Sequence, residues 1–87
     1  MKTRILVVDD NTDIQDMLKS MMEHQGWEVC QAANGKEALE IAQNQTPDLI
    51  VSDILMPVMD GYALCRLCKA DPKLKDIPFV FYTATYT

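Results

Sequence analysis

Apolar residues along this chain alternate between short continuous runs and runs spaced at helical intervals. Ile5-Leu6-Val7-Val8 is continuous and rich in β-branched residues, the mark of a strand covered on both faces. After Asn11, an expected N-cap, apolar side chains fall at Ile14, Met17, Leu18, Met21 and Met22, which the helical repeat places on one face. Gly26 supplies the stop, and Trp27 to Ala32 reads as a second strand. Asn34-Gly35 opens a second helix with Ala38, Leu39 and Ala42 inward, and Pro47 closes it. Leu49-Ile50-Val51-Ser52 is a third buried strand ending at Asp53. A loop with Pro57 and Asp60-Gly61 leads into a third helix from about Tyr62 to Ala70, ended by Asp71-Pro72. Pro78 introduces Phe79-Val80-Phe81-Tyr82, a fourth strand followed by Thr83. The order βαβαβαβ predicts parallel strands, right-handed crossovers and helices on both faces, an α/β architecture.

Composition narrows the picture. A chain of 87 residues is one small domain, spanning 1–87, and buries only about 60–65% of the surface its unfolded form exposes. The net charge of −5 argues against a nucleic-acid surface, which needs clustered Lys and Arg. Apolar runs fall far short of the ~18–20 residues that span a bilayer. Met1-Lys2-Thr3-Arg4 leads straight into the first strand with no signal-peptide pattern, so a cytoplasmic location and no membrane partner are expected. Cys30, Cys65 and Cys68 lack a disulfide-framework spacing and read as free thiols.

In a parallel sheet all strand C-terminal ends share one edge, where ligands bind at the point of strand-order reversal. The first strand ends in Asp9-Asp10, the third in Asp53 and the fourth in Thr83. Three carboxylates and a hydroxyl thus converge from three separate stretches of chain. Such carboxylates repel unless protonated or bridged by a cation, and an all-oxygen set suits hard Mg²⁺. A carboxylate can also be a nucleophile toward phosphorus, for which the protein mainly positions groups and neutralises charge.

Ile5-Leu6-Val7-Val8-Asp9-Asp10, then Ser52-Asp53-Ile54-Leu55-Met56-Pro57-Val58-Met59-Asp60-Gly61, then Phe81-Tyr82-Thr83-Ala84, resemble the receiver domain of two-component response regulators, in order and across the whole chain. The resemblance implies a flavodoxin-like doubly wound sheet with strand order 2-1-3-4. It implies that Asp53 is the phosphoacceptor, served by a histidine kinase or phosphotransfer protein, in a signalling switch rather than a turnover enzyme. It also implies Mg²⁺ ligated by Asp10, Asp53 and the backbone carbonyl of Leu55, with Asp9 reaching the ion mainly through water. Thr83 would hydrogen-bond the phosphoryl group, Ala84 would leave it room, and Pro57 would help aim the Leu55 carbonyl. Leu55 and Thr85 stand where receivers tune dephosphorylation, and apolar Leu55 is expected to slow phosphate loss.

The family pattern continues with a helix, a lysine-ended strand and a helix that no residue here matches. The expectation is therefore a fragment of a longer receiver, with an incomplete sheet. Strand four and one face of the first helix would be exposed, making a homodimer through either of them an expected partner arrangement.

Other signals carry less. Asp9 to Asp13 resembles an EF-hand opening, but Ile14 and Ser20 occupy the glycine and glutamate positions. Cys65-Arg66-Leu67-Cys68 lies late in a helix, where structural thiols are expected rather than redox chemistry or zinc. His24 is expected to be exposed at a helix end, and most methionines to fill the core. Two readings compete with the switch. One is a non-phosphorylated interaction or dimerisation module derived from a receiver; the other is a metal-dependent phosphatase, against which the missing general acid counts.

Overall fold

A computed structural model of the chain describes residues 2–83, so the expectations for Ala84 and Thr85 lie outside the described residues. Strands and helices alternate: β1 (Arg4–Val8), α1 (Thr12–His24), β2 (Glu28–Ala32), α2 (Gly35–Asn44), β3 (Leu49–Asp53), α3 (Gly61–Ala70) and β4 (Phe79–Tyr82). All strand pairings are parallel, in the order β2-β1-β3-β4. This is the flavodoxin-like order the resemblance implies. The chain moves outward from β1 to β2, then returns to the other side of β1 for β3. That reversal opens a crevice between the C-terminal ends of β1 and β3.

Local chemistry sets the boundaries. Asn11 caps α1 by accepting from the Asp13 and Ile14 N–H groups, Asn34 caps α2 through Glu37 N–H, and Asp60 caps α3 through Ala63 N–H. The end of α1 closes in a Schellman motif. Trp27 N–H donates to Met22 O, Gly26 N–H donates to Glu23 O, and Gly26 takes the left-handed φ of 85° that the motif requires.

Each strand shows alternate side chains to opposite faces, and both faces are covered. Leu6, Val8 and Ile50 face α2 and α3, where Ala38, Ala42, Leu64 and Cys68 complete the larger core. Ile5, Val7 and Val51 face α1, against Leu18, Met22 and Tyr82. The continuous apolar run of β1 is thereby explained, since Ile5 to Val8 are all 1% exposed or less.

The helical face expected on α1 is corrected. Leu18 and Met22 pack inward, but Met17 and Met21 are 54% and 60% exposed. The buried residue of the stripe is Gln15, a polar side chain whose partners are satisfied locally. The expectations for the thiols and His24 agree with the structure, Cys68 being buried, Cys65 half-buried and His24 exposed, whereas Met22, Met56 and Met59 are only partly buried against the core.

Candidate functional site

The crevice at the strand ends holds the three carboxylates together. One oxygen from each of Asp9, Asp10 and Asp53 lies within 4.8 Å of the others, and among the described residues this is the only such group of potential ligands. They line a cleft of about 550 Å³ with Asn11, Thr12, Ile14 and Leu55. Sequence-distant residues meet here because β1 and β3 are hydrogen-bonded neighbours in parallel register, Val8 opposite Ser52. Asp9 and Asp53 are both buried, at 1% and 4% exposure, whereas Asp10 is exposed.

Each buried carboxylate has donors. Asp9 Oδ1 accepts from Asn11 N–H at 2.8 Å, and Asp9 Oδ2 accepts from the Tyr82 hydroxyl at 2.6 Å. Asp53 Oδ1 accepts from Leu55 N–H at a longer 3.3 Å. Gln15 reaches up from α1 to donate its amide to the carbonyls of Asp9 and Ala32, tying the ends of β1 and β2 to the helix. Buried polar side chains in such a position fix the local backbone as long as their hydrogen bonds are made.

The loop after Asp53 closes back on the strand. Gly61 N–H donates to Ile54 O at 2.9 Å, and Met56 and Met59 pack against the larger core. A Cβ on Gly61 would lie 2.5 Å from the Asp53 carbonyl oxygen, so glycine permits this close approach of α3 to β3. Pro57 lies in this loop and accepts from Met59 N–H through its carbonyl. Leu55, exposed, lines the cleft. Thr83 follows Tyr82 at the same sheet edge and is exposed.

Burial and neighbouring like charges both act on the Asp53 carboxyl. Burial raises the Asp53 carboxyl above the ordinary carboxylate value, the Leu55 N–H pulls it down, and Asp9 and then Asp10 push it up again. Burial, with the bond to Asp9, pushes the Tyr82 phenol well above the usual tyrosine range, so it keeps its proton and donates. The donor set is carboxylate and carbonyl oxygen, with no imidazole or thiolate ligand lining the cleft among the described residues, which fits Mg²⁺ better than a softer ion.

Asp9, Asp10, Asp53 and Leu55 thus lie together where the sequence places them. Two participants were not anticipated. Tyr82 reads in sequence as an edge-strand aromatic, and nothing in strand periodicity tells of its reach to Asp9. Gln15 had a signal: spacing of three and seven puts it in line with Leu18 and Met22, an inward polar residue on an apolar stripe.

The family profile described as response regulator receiver domain matches residues 5–87. Over 83 residues the chain is 43% identical to a protein named probable transcriptional regulator ycf27 from Cyanophora paradoxa, covering 95% of this chain and 34% of that protein. Further ycf27 regulators are matched over a similar share, so the chain spans about a third of their length. Among solved structures, Vibrio cholerae chemotaxis protein CheY4 superposes with a TM-score of 0.93 at 33% identity, over 100% of this chain and 72% of that one. The receiver domain of sensor histidine kinase PA1611 from Pseudomonas aeruginosa, solved with a magnesium ion coordinated in its active site cleft, superposes with a TM-score of 0.91. Its identity is 32%, over 98% of this chain and 70% of that one.

Proposed function

The chain belongs to the response regulator receiver family of two-component signalling, and from that premise we propose that Asp53 is its phosphoacceptor. The observation that carries this reading is the meeting of Asp9, Asp10 and Asp53 at one sheet edge, with oxygens within 4.8 Å of one another. Asp53 is the member placed at the end of β3, buried at its base and open to the cleft.

In this reading an Asp53 carboxylate oxygen attacks the phosphorus of a phosphohistidine on a histidine kinase or phosphotransfer protein. A new O–P bond forms as the N–P bond breaks, and the imidazole leaves with the electron pair and takes up a proton. Asp10, Asp53 and the Leu55 backbone carbonyl would hold Mg²⁺, with Asp9 reaching it through water. The bound ion supplies charge neutralisation for the phosphoryl oxygens. Thr83, one residue beyond β4, offers a hydroxyl to the same group, and Pro57 stiffens the loop that carries Leu55. The module acts as a switch, in residues 1–87 as one domain, with a cytoplasmic site of action; among the described residues no helix is long and apolar enough to cross a membrane.

Incubation with a small-molecule phosphodonor and Mg²⁺ tests the proposal by mass spectrometry. One phosphoryl group is expected on the unaltered chain, none on Asp53→Asn, and none when Mg²⁺ is chelated. Labelling that persists in Asp53→Asn would remove Asp53 from the role. For the partner arrangement we propose self-association through β4 or α1, supported by Val80 at 47% exposure on the edge strand and by exposed Met17 and Met21.

A further inference from the structure

Tyr82 lies at the end of β4, and β3 separates β4 from β1. Its backbone faces Asp53 in the β3–β4 register, and its carbonyl accepts from Ile54 N–H at 3.0 Å. Its side chain packs on the α1 face of the sheet, beside Ile5, Val7 and Val51. From there the hydroxyl reaches past the end of β3 to Asp9 Oδ2 on β1, at 2.6 Å. With strands about 4.8 Å apart, the Tyr82 and Asp9 side chains together bridge roughly two strand spacings. Asp9 Oδ1 is held by Asn11 N–H, so each oxygen of this 1%-exposed carboxylate already has a donor.

The carboxylates are therefore not equivalent. Asp10 is exposed, and Asp53, open to the cleft, accepts from Leu55 N–H at a long 3.3 Å, with the Ile54 N–H a lesser backbone donor. Asp9 is buried and doubly bonded, with much of its charge compensated inside the protein. We propose that Tyr82 is a positioning residue that restrains Asp9 from direct ligation and so biases the acidic site toward Mg²⁺ over the larger Ca²⁺, an inference that rests on the cation-binding reading above. Mg²⁺ is satisfied by one or two carboxylates and retains several waters, whereas Ca²⁺ takes six to eight oxygens in flexible geometry and gains most from an added carboxylate. Removing the hydroxyl leaves Asp9 Oδ2 buried without its donor, and a cation becomes the group best able to replace it.

Isothermal titration of Mg²⁺ and Ca²⁺ into the unaltered chain, Tyr82→Phe and Tyr62→Phe tests this. Tyr82→Phe is expected to bind Ca²⁺ about tenfold and Mg²⁺ about threefold more tightly, so that the preference for Mg²⁺ falls, while Tyr62→Phe leaves both unchanged. A merely structural role for Tyr82 would weaken both ions alike. An unchanged or increased Mg²⁺ preference in Tyr82→Phe overturns the inference while leaving the cation site intact. An unaltered chain that takes up neither ion overturns the site reading and this inference together. NMR of the unaltered chain carrying ring-labelled tyrosine guards against a poorly folded variant: Mg²⁺ should shift the Tyr82 Cζ signal and not that of Tyr62. A Tyr82 signal indifferent to saturating Mg²⁺ counts decisively against the restraint.

Discussion

Asp53 is buried beside two like charges, which is unfavourable until a cation or a proton arrives. With oxygens under 5 Å apart, the repulsion amounts to about 1–3 kcal/mol at effective dielectric constants between roughly 80 and 20. Without metal, Asp53→Asn should therefore raise unfolding stability at neutral pH by about that amount. The folded carboxyl titrates above its ordinary value, so the folded state takes up a proton before the unfolded state as pH falls. The cost of ionised Asp53 is thus fully present above the raised folded value and fades as pH falls toward the ordinary carboxylate range. Urea unfolding in chelator across that range should show the advantage of Asp53→Asn shrinking; a gap that widens would contradict the assignment. Val58, in the loop after Asp53, is 81% exposed and has a φ of 72°, a left-handed conformation that a β-branched residue adopts only at a cost. Val58→Gly removes that strain and little packing, so a gain of about 1 kcal/mol is expected in the same unfolding measurement.

At the scale of elements, the site depends on how closely α3 approaches the end of β3. Gly61 opens the helix directly against the Asp53 carbonyl, and Asp60 caps it through Ala63 N–H. Gly61→Ala should push the start of α3 away and cost about 1–3 kcal/mol, more than the helix propensity of alanine returns. Chemical denaturation reads the loss, and a stability equal to the unaltered chain would mean that β3 and α3 separate easily. The α1 helix serves the site from the other side. Its cap, Asn11, also donates its own N–H to Asp9, and its Gln15 holds the Asp9 carbonyl. Helix initiation and carboxylate placement are one structural event here.

Across the whole molecule, the sheet has two differently covered faces and, among the described residues, an edge at β4. Val80 is 47% exposed there, on the sheet face it shares with Val51 and Tyr82, and Tyr62, Cys65 and Phe81 line an adjoining groove with Arg66 and Lys69. An apolar edge of this kind templates pairing with another strand, and a charge placed on it opposes pairing. Sedimentation velocity should therefore show concentration-dependent association of the unaltered chain, reduced in Val80→Lys. Association undiminished in Val80→Lys but lost when Met17 and Met21 are made polar would move the contact to α1.

The sequence alone determined the order of elements, their approximate limits and the meeting of three carboxylates, because each follows from short-range periodicity, capping and the rule that parallel strands end on one edge. The D-x-x-M-P-x-M-D-G run around Asp53 added the family. Tertiary structure decided which side of α1 is buried. Exposed Met17 and Met21 and buried Gln15 depart from a purely apolar face because two inward hydrogen bonds satisfy a polar side chain where it meets strand-end carbonyls. It also decided that Asp9 is held while Asp10 is exposed. Adjacent in sequence, these two aspartates differ through the contacts Asp9 makes, locally with Asn11 N–H and at long range with the hydroxyl of Tyr82, 73 residues away. Periodicity records where a side chain starts; only the packed sheet determines what it reaches.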